Sequence, residues 1–157
     1  MRVLRLIATL PLLLPGTAMA ALFGNLFSGT PPTNLDAKAG MLAPCPDAPN
    51  CVNSQARDDR HRIAPIAYAG DTAAAMARLV RVIAEQPGTV LVTRRDEYVY
   101  ATFQTPVMGF VDDVEFLADP PQQAIQVRSA SRMGHSDFGV NRKRIEAVRV
   151  AFAAATR

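Results

Sequence analysis

Polar side chains are concentrated in the segment RSASRMGHSDFGVNRKR, which spans residues 128–144. Arginine side chains close to the free backbone N–H groups of a helix start could bind a phosphate, sulfate or carboxylate group. Asp137, with Ser136 as the alternative, is also a natural N-cap for such a helix and would occupy the same N–H groups. Anion binding and helix capping therefore both stay open for this segment. The candidate binding residues of the chain are Asp112, Asp113, Arg128, Ser129, Ser131, Arg132, His135, Asp137, Asn141, Arg142 and Arg144.

Acidic residues alternate along the predicted strand at residues 110–117. Because successive side chains of a strand point to opposite faces, Asp113 and Glu115 share one face, and Asp112 lies on the other. If this strand pairs with the next one, Asp113 and Glu115 can face Arg128 and Arg132 as a cross-strand charge ladder. Such ladders are typical of a solvated sheet face, where each pair contributes little to stability.

Asp112 differs from its neighbours because it alternates with Phe110 and Val114 on the apolar side of the strand. A carboxylate buried without a partner costs several kcal/mol. Arg142 or Arg144 of the following helix could supply the partner. An internal Asp–Arg brace is therefore the expected role of Asp112.

Two kinds of enzyme centre, a serine hydrolase and a metal site, find little support in the sequence. Residues 134–138 (GHSDF) lie between a strand and a helix, as the nucleophile of a hydrolase does, but Phe138 replaces the last glycine of the G-x-S-x-G turn. A metal site made from Asp112, Asp113, Glu115 and His135 lacks the spacing of a known ligand loop. We assign no catalytic residue, metal or cofactor.

The hydrophobic pattern predicts the elements that position these residues. A short strand at 63–68 precedes a helix capped by Asp71 or Thr72 and ended by Pro87-Gly88. Strands follow at 90–93, 98–103, 110–117 and 125–131, and a helix at 139–155 closes the chain. The order β-α-β-β-β-β-α predicts an α+β fold: an antiparallel sheet of four to five strands with two helices packed on one face. The other face would be solvated, covered by the cysteine-containing segment, or curled around a cavity.

The only two cysteines, Cys45 and Cys51, flank a proline-containing turn. In an exported protein, this spacing predicts a structural disulfide. A metal site would need a second Cys or His pair nearby, and a redox-active pair more often has C-x-x-C spacing.

Residues 1–20 have the pattern of a signal peptide. Arg2 and Arg5 precede an apolar stretch at 6–14, and Ala18-Met19-Ala20 forms a small-x-small cleavage site. Cleavage after Ala20 predicts a periplasmic or secreted protein, and retention of the segment as an N-terminal anchor is the alternative. Glycines and prolines at 21–44 predict a flexible tether, followed by a single domain at 45–157 that begins with the disulfide loop.

The charge of the exported chain is close to zero. Of the 17 Lys and Arg side chains, Arg2 and Arg5 lie in the signal, which leaves 15 against 14 acidic side chains and a net charge of +1. A near-neutral chain without a lysine-rich run does not indicate nucleic-acid binding. We also expect no transmembrane span after signal cleavage, because no later apolar run is long enough.

Three separated motifs together resemble one family. CPDAPNCVNS at 45–54, DDVEF at 112–116 and RSASRMGHSDFGVNRKRIE at 128–146 are similar to the bacterial and plastid family called domain of unknown function 1499. The resemblance covers residues 42–155. It implies a small envelope or lumenal protein without an established activity, and it supplies no catalytic residues.

The leading hypothesis is a non-catalytic binding or structural module of the cell envelope, with a polar and basic surface at residues 128–144. Its partner would be an anionic small molecule, a lipid or an envelope protein. One alternative is a small hydrolase or metal-dependent enzyme that uses Asp112, Asp113 and His135. Another is a carrier of a lipid or apolar small molecule, held in a cup formed by the sheet and the last helix.

Overall fold

The structure, a computed structural model, describes residues 27–106 and 108–155. The predicted signal peptide and the first six residues of the predicted tether lie outside the described residues, and the division at 20 and 44 stays a prediction. The elements are β1 (Cys51–Asn53), β2 (Ile66–Ala67), α1 (Thr72–Ala84), β3 (Thr89–Arg94), β4 (Tyr98–Gln104), β5 (Val111–Asp119), β6 (Ala124–Ser131) and α2 (Val140–Ala154).

The six strands form one antiparallel sheet, so the predicted α+β class and element order are confirmed. The strand order is β1-β6-β5-β4-β3, and β2 also pairs with β6. β1 and β2 pair with opposite ends of β6, since Cys51 lies opposite Ala130 and Ile66 lies opposite Ile125. β1 was not predicted, because its three residues are too few to show an alternating pattern.

Both helices pack on the same face of the sheet, as predicted. Their apolar stripes form one core with the alternate residues of the strands that face them. The largest fully buried side chains of this core include Leu79 and Ile83 of α1, Ile145 of α2 and Phe116 of β5. The 3.6-residue period of the helices and the two-residue period of the strands place these side chains together.

Local sequence signals set the bounds of α1. The Asp71 carboxylate accepts a hydrogen bond from Ala74 N at 2.8 Å and so caps the first turn. After the helix, Gly88 has a φ of +73°, and a Cβ there would lie 2.3 Å from the carbonyl oxygen of Gln104. Only glycine fits this close approach, which brings β3 alongside β4.

The opposite face of the sheet is covered in part by residues 36–42, which we call the covering segment. Leu42 is 4% exposed and packs with Tyr98 and Leu117 in a small second apolar cluster. Asp36 pairs with Arg95 at the turn between β3 and β4. This face is therefore not the solvated one that a surface charge ladder would need, and residues within the predicted tether contribute to its cover.

The predicted disulfide between Cys45 and Cys51 is confirmed, with a Cα–Cα distance of 5.7 Å. The loop it closes leads directly into β1. The buried His61 links this loop to the segment before β2. Its Nε2 lies 3.0 Å from the carbonyl oxygen of Ala48, and its Nδ1 lies 2.9 Å from Asp58. Hydrogen bonds from the side chain and the backbone N–H of His61 lower the pKa of the Asp58 carboxyl.

Candidate functional site

Asp112 lies on the helix side of β5 and is only 2% exposed. Its predicted arginine partner is Arg144 of α2, whose Nη2 donates to Asp112 Oδ2 at 2.5 Å. The guanidinium of Arg144 also lies 5.0 Å from the ring centre of Phe103. The buried carboxylate thus has the internal brace that burial requires.

Arg142 was the other candidate partner, and it points elsewhere. Its two terminal nitrogens donate to the carbonyl oxygens of Arg60 and Arg62, at 3.0 and 2.9 Å. Arg142 therefore fastens the segment before β2 to the start of α2. Since α-helical residues two apart do not share a face, Arg142 and Arg144 serve different neighbours.

Asn141, in the first turn of α2, is fully buried and joins several elements. Its side-chain amide donates to the carbonyl oxygen of Asn50 at 3.0 Å, to Ser131 Oγ at 2.9 Å and to Asp137 Oδ2 at 2.9 Å. Its Oδ1 accepts from Ser129 Oγ at 2.5 Å and from Arg144 Nη1 at 2.9 Å. The disulfide loop, β6 and α2 are therefore fixed to one another by one asparagine.

The N-cap residue of α2 is Gly139 and not the predicted Asp137 or Ser136, but Asp137 still caps the helix from two residues before it. Its carboxylate accepts from Gly139 N at 2.9 Å and from Asn141 N at 2.7 Å. These are donors that a bound anion would need. The geometry therefore favours the capping interpretation over the anion site.

On the opposite face of the sheet, Arg132 and Asp113 form a two-pronged pair. Arg132 Nε and Nη2 lie 3.0 and 2.8 Å from the Asp113 carboxylate, and Tyr100 donates its hydroxyl to the same carboxylate at 2.6 Å. Burial, followed by this hydrogen bond, raises the pKa of Tyr100 to about 12. This part of the predicted charge ladder is present.

Glu115 and Arg128 form the other predicted rung, but with poorer geometry. Arg128 Nη1 lies 3.5 Å from Glu115 Oε2, and the buried Arg128 Nε has no hydrogen-bond partner among the described residues. Glu115 also accepts from the Tyr98 hydroxyl at 2.7 Å and from Asp36 N at 3.2 Å. Burial raises the pKa of the Glu115 carboxyl and lowers that of the Arg128 guanidinium.

The predicted site residues thus divide into two groups on opposite faces of the sheet and do not converge on one cleft. The side chains of Arg128, Arg132 and Arg144 are only 8%, 9% and 11% exposed, so they differ from the basic surface that we expected. Strand alternation separates Asp112 from Asp113, and no hydrogen bond or ion pair among the described residues joins either to the exposed His135. The alternative enzyme centre is therefore not assembled, and no cluster of three metal-ligating residues occurs within 27–106 and 108–155.

The proposed cup beneath the last helix is filled by side chains. Ile145 and Val148 are fully buried, and Phe152 is 2% exposed, all within the main core. The Arg78 guanidinium lies 3.7 Å from the ring centre of Phe152. A lipid could not occupy this space without displacing the core.

A cavity of about 220 Å³ lies instead beside the N-terminal end of α2. It is bordered by the segment after β4 and by residues 132–139, which we call the cavity loop. Its lining residues are Thr105, Phe110, Asp112, Ser131, Met133, Gly134, Ser136, Asp137, Phe138 and Val140. Sequence analysis missed this cavity, because its walls come from loops whose folding has no periodic signal.

Phe138 lies in this loop but is not among the candidate residues that the sequence indicated. Its side chain is 90% exposed at the rim of the cavity, and its φ of +52° is unusual for an aromatic residue. The neighbouring Met133 and Val140 are 41% and 38% exposed. The sequence signal for this residue is an aromatic side chain between Asp137 and Gly139 in an otherwise polar loop.

The Asn141 network and the disulfide loop hold the cavity loop in place. Asn50 Nδ2 donates to the carbonyl oxygen of Gly134 at 2.6 Å, and Ser131 N donates to Asn50 O at 3.0 Å. Ser136 Oγ accepts from Phe138 N at 3.3 Å. Loop residues with strained backbone persist where their surroundings impose the conformation, and such residues often occur at binding sites.

Within the described part of the chain, no helix is both long and apolar enough to cross a bilayer. A family model described as "Protein of unknown function (DUF1499)" matches residues 41–152. Comparison with curated proteins and comparison with solved structures give no match.

Proposed function

Since the chain belongs to the domain of unknown function 1499 family, whose description assigns no activity, we propose a function from the cavity and its loop. The protein is a non-catalytic binding module of the cell envelope that holds an apolar group beside Phe138. Its target enters between the cavity loop and the segment after β4.

The exposure of Phe138 is the observation that carries this proposal. Large apolar side chains that are both exposed and next to a concave apolar wall are typical of interaction sites. Phe110, Met133 and Val140 extend the same apolar surface into the cavity. Asn141 is hydrogen-bonded to Asp137 and Ser131, and these contacts hold the loop in place while its apolar residues stay available for a target.

Export to the envelope is supported by the signal-like residues 1–20 and by the disulfide, which is typical of oxidising compartments. Cell fractionation and mass spectrometry of the purified protein test this part. A soluble periplasmic or secreted chain that begins at Ala21 is expected. A cytoplasmic chain that retains Met1 would contradict export, and an envelope-bound chain that retains residues 1–20 would favour the anchor alternative.

A titration with 2-phenylethanol, followed by NMR, tests the binding role. This neutral molecule has nine heavy atoms, so a dissociation constant of roughly 1 mM is expected from the usual binding energy per atom. The perturbed backbone signals should belong to residues 105–112 and 131–140.

Phe138→Ser and Val150→Ser are matched variants for this titration. Both remove an exposed apolar side chain, but Val150 is 69% exposed on α2 and does not line the cavity. Phe138→Ser should weaken binding about fivefold, because it removes part of the apolar wall. The absence of saturable shifts around the cavity, or equal weakening by both variants, would overturn the proposal.

A further inference from the structure

The charged residues that line the cavity, Asp112 and Asp137, are both acidic. Arg144 is the basic residue that contacts this pair of acids most closely, but it lies behind Asp112 and does not line the cavity. These three side chains together carry a formal charge of −1. The walls are therefore electrostatically suited to a cationic group and not to an anion.

The two carboxylates differ in how much bonding capacity remains. Both oxygens of Asp137 are occupied, Oδ1 by Gly139 N and Oδ2 by the backbone and side-chain nitrogens of Asn141. Asp112 uses Oδ2 for Arg144, whereas its Oδ1 accepts no hydrogen bond from any side chain within 27–106 and 108–155. Asp112 is 98% removed from solvent but lines the cavity, so this second oxygen can accept a hydrogen bond from a ligand there.

Nearby groups keep the Asp112 carboxylate fixed before any ligand arrives. Arg144 is itself held by Asn141 Oδ1 at 2.9 Å and by Ser129 Oγ at 3.3 Å. A preorganised acceptor loses little rotamer freedom when it binds, which favours affinity. A charge-assisted hydrogen bond from an ammonium group is stronger than one from a neutral donor.

We infer that the cavity binds a primary ammonium group attached to a small apolar body, with the ammonium donating to Asp112 Oδ1. This inference rests on the proposed function and adds the class of ligand. The volume of about 220 Å³ limits the apolar body, since a protein cavity of roughly 150 Å³ is known to hold benzene. A ring with a two- or three-carbon chain therefore fits. Phe110 and Phe138 add aromatic rings, which also attract cations.

Three probes of similar shape separate charge from apolar contact: 2-phenylethylamine, 2-phenylethanol and 3-phenylpropionate. We expect the amine to bind the full-length mature protein about tenfold more tightly than the alcohol, because its hydrogen bond is charge-assisted. The carboxylate should bind more weakly than the alcohol. Isothermal calorimetry at pH 7 and low salt, with NMR shifts to locate each probe, gives the three constants.

Two variants test the role of Asp112. Asp112→Asn keeps the shape but replaces the charged acceptor, so the preference for the amine should fall about tenfold while alcohol binding changes little. If Asp112→Asn does not fold, Ser136→Lys supplies the same test from the exposed rim of the cavity. It should weaken the amine and strengthen the carboxylate, and Ser136→Gln is its uncharged control.

The outcomes separate this inference from the proposed function. Equal binding of amine and alcohol, located at the cavity, would overturn the ammonium inference and leave the apolar binding role standing. Amine preference that survives both Asp112→Asn and Ser136→Lys would also overturn it. Failure of all three probes to bind would contradict both proposals, whereas an amine preference lost in the variants would support both.

Discussion

The two faces of the sheet carry similar residues but use them differently. On the helix face, Asp112 and Arg144 meet at 2.5 Å and share a network in which Asn141 uses both its donor and its acceptor atoms. On the covered face, Glu115 and Arg128 are similarly buried, but they approach only to 3.5 Å, and Arg128 Nε has no partner within 27–106 and 108–155. Burial is therefore compatible with either a short or a long ion pair, and the two pairs should differ in energy.

The difference between these two distances shows which ion pair is held in a defined geometry. The polar network around Asn141 holds its groups in place and supports the cavity loop, although the buried Asn50 Oδ1 has no hydrogen-bond partner among the described residues. In a long ion pair, the attraction between the charges offsets less of their desolvation penalty. We expect the Asp112–Arg144 pair to be more sensitive to single substitutions than the Glu115–Arg128 pair.

The largest effect is expected for Arg144→Met. This change leaves Asp112 buried without its cation and should lower the free energy of unfolding by about 3–5 kcal/mol. Urea denaturation measures it. Lys143→Met is the matched control on the same helix turn, and since Lys143 is exposed, it should change stability by less than about 0.5 kcal/mol. A loss below about 1 kcal/mol in Arg144→Met would remove the distinction between the faces.

Loss of the disulfide should have the next largest effect. Replacing Cys45 and Cys51 together by Ala should lower stability by about 2–2.5 kcal/mol, because the short loop is no longer closed in the unfolded chain. Asn50 lies within this loop and contacts Gly134, so the NMR signals of the cavity loop should also shift. Unchanged signals at residues 132–139 would contradict the supporting role of the disulfide loop.

Arg128→Met should lower the free energy of unfolding by about 1–2 kcal/mol, which is less than for Arg144→Met. The lost ion pair is long, and removal of Arg128 also removes the desolvation penalty of its own charge. Glu115, whose pKa is already raised, can take up a proton when its partner is removed. The double change of Glu115→Gln with Arg128→Met should recover part of the loss. A loss in Arg128→Met as large as that in Arg144→Met would show that the two faces are equivalent.

The smallest effect is a dependence on pH that comes from Glu115. Because its pKa is higher in the folded than in the unfolded state, its carboxyl stabilises the fold most below the unfolded pKa of about 4.3. This contribution is lost as pH rises through the folded pKa. The unfolding free energy of the wild type, relative to Glu115→Gln, should therefore fall as the pH rises above about 4.3. A difference that stays constant or rises would contradict the raised pKa.

Much of the fold could be predicted from local patterns. The helix after Asp71, the four long strands, the disulfide and the last helix all follow from periodicity, capping and turn residues. The partner of Asp112 was narrowed to two arginines by strand alternation and by the position of the last helix. Arg142 and Arg144 lie on different sides of the helix, and residues 60–62 pass beside Arg142 and bind it. Arg144 is therefore the partner of Asp112.

The candidate site was less predictable, because its geometry joins segments that are far apart in the chain. Asn141 contacts Asn50, and Gly29 approaches Arg132, at separations that no local pattern encodes. The sequence draws attention to the polar residues at 128–144, but it does not show which of them are buried by another segment. The cavity was missed for the same reason.

The amino-acid sequence by itself determined the alternation of faces, the positions of the helices and the two cysteines, because these depend on short-range periods and spacing. Only the tertiary structure decided that the covering segment lies over Glu115, that Asp137 occupies the helix donors, and that Phe138 stands exposed beside a cavity. Those outcomes depend on contacts between distant segments, and burial is a property of the whole packed chain.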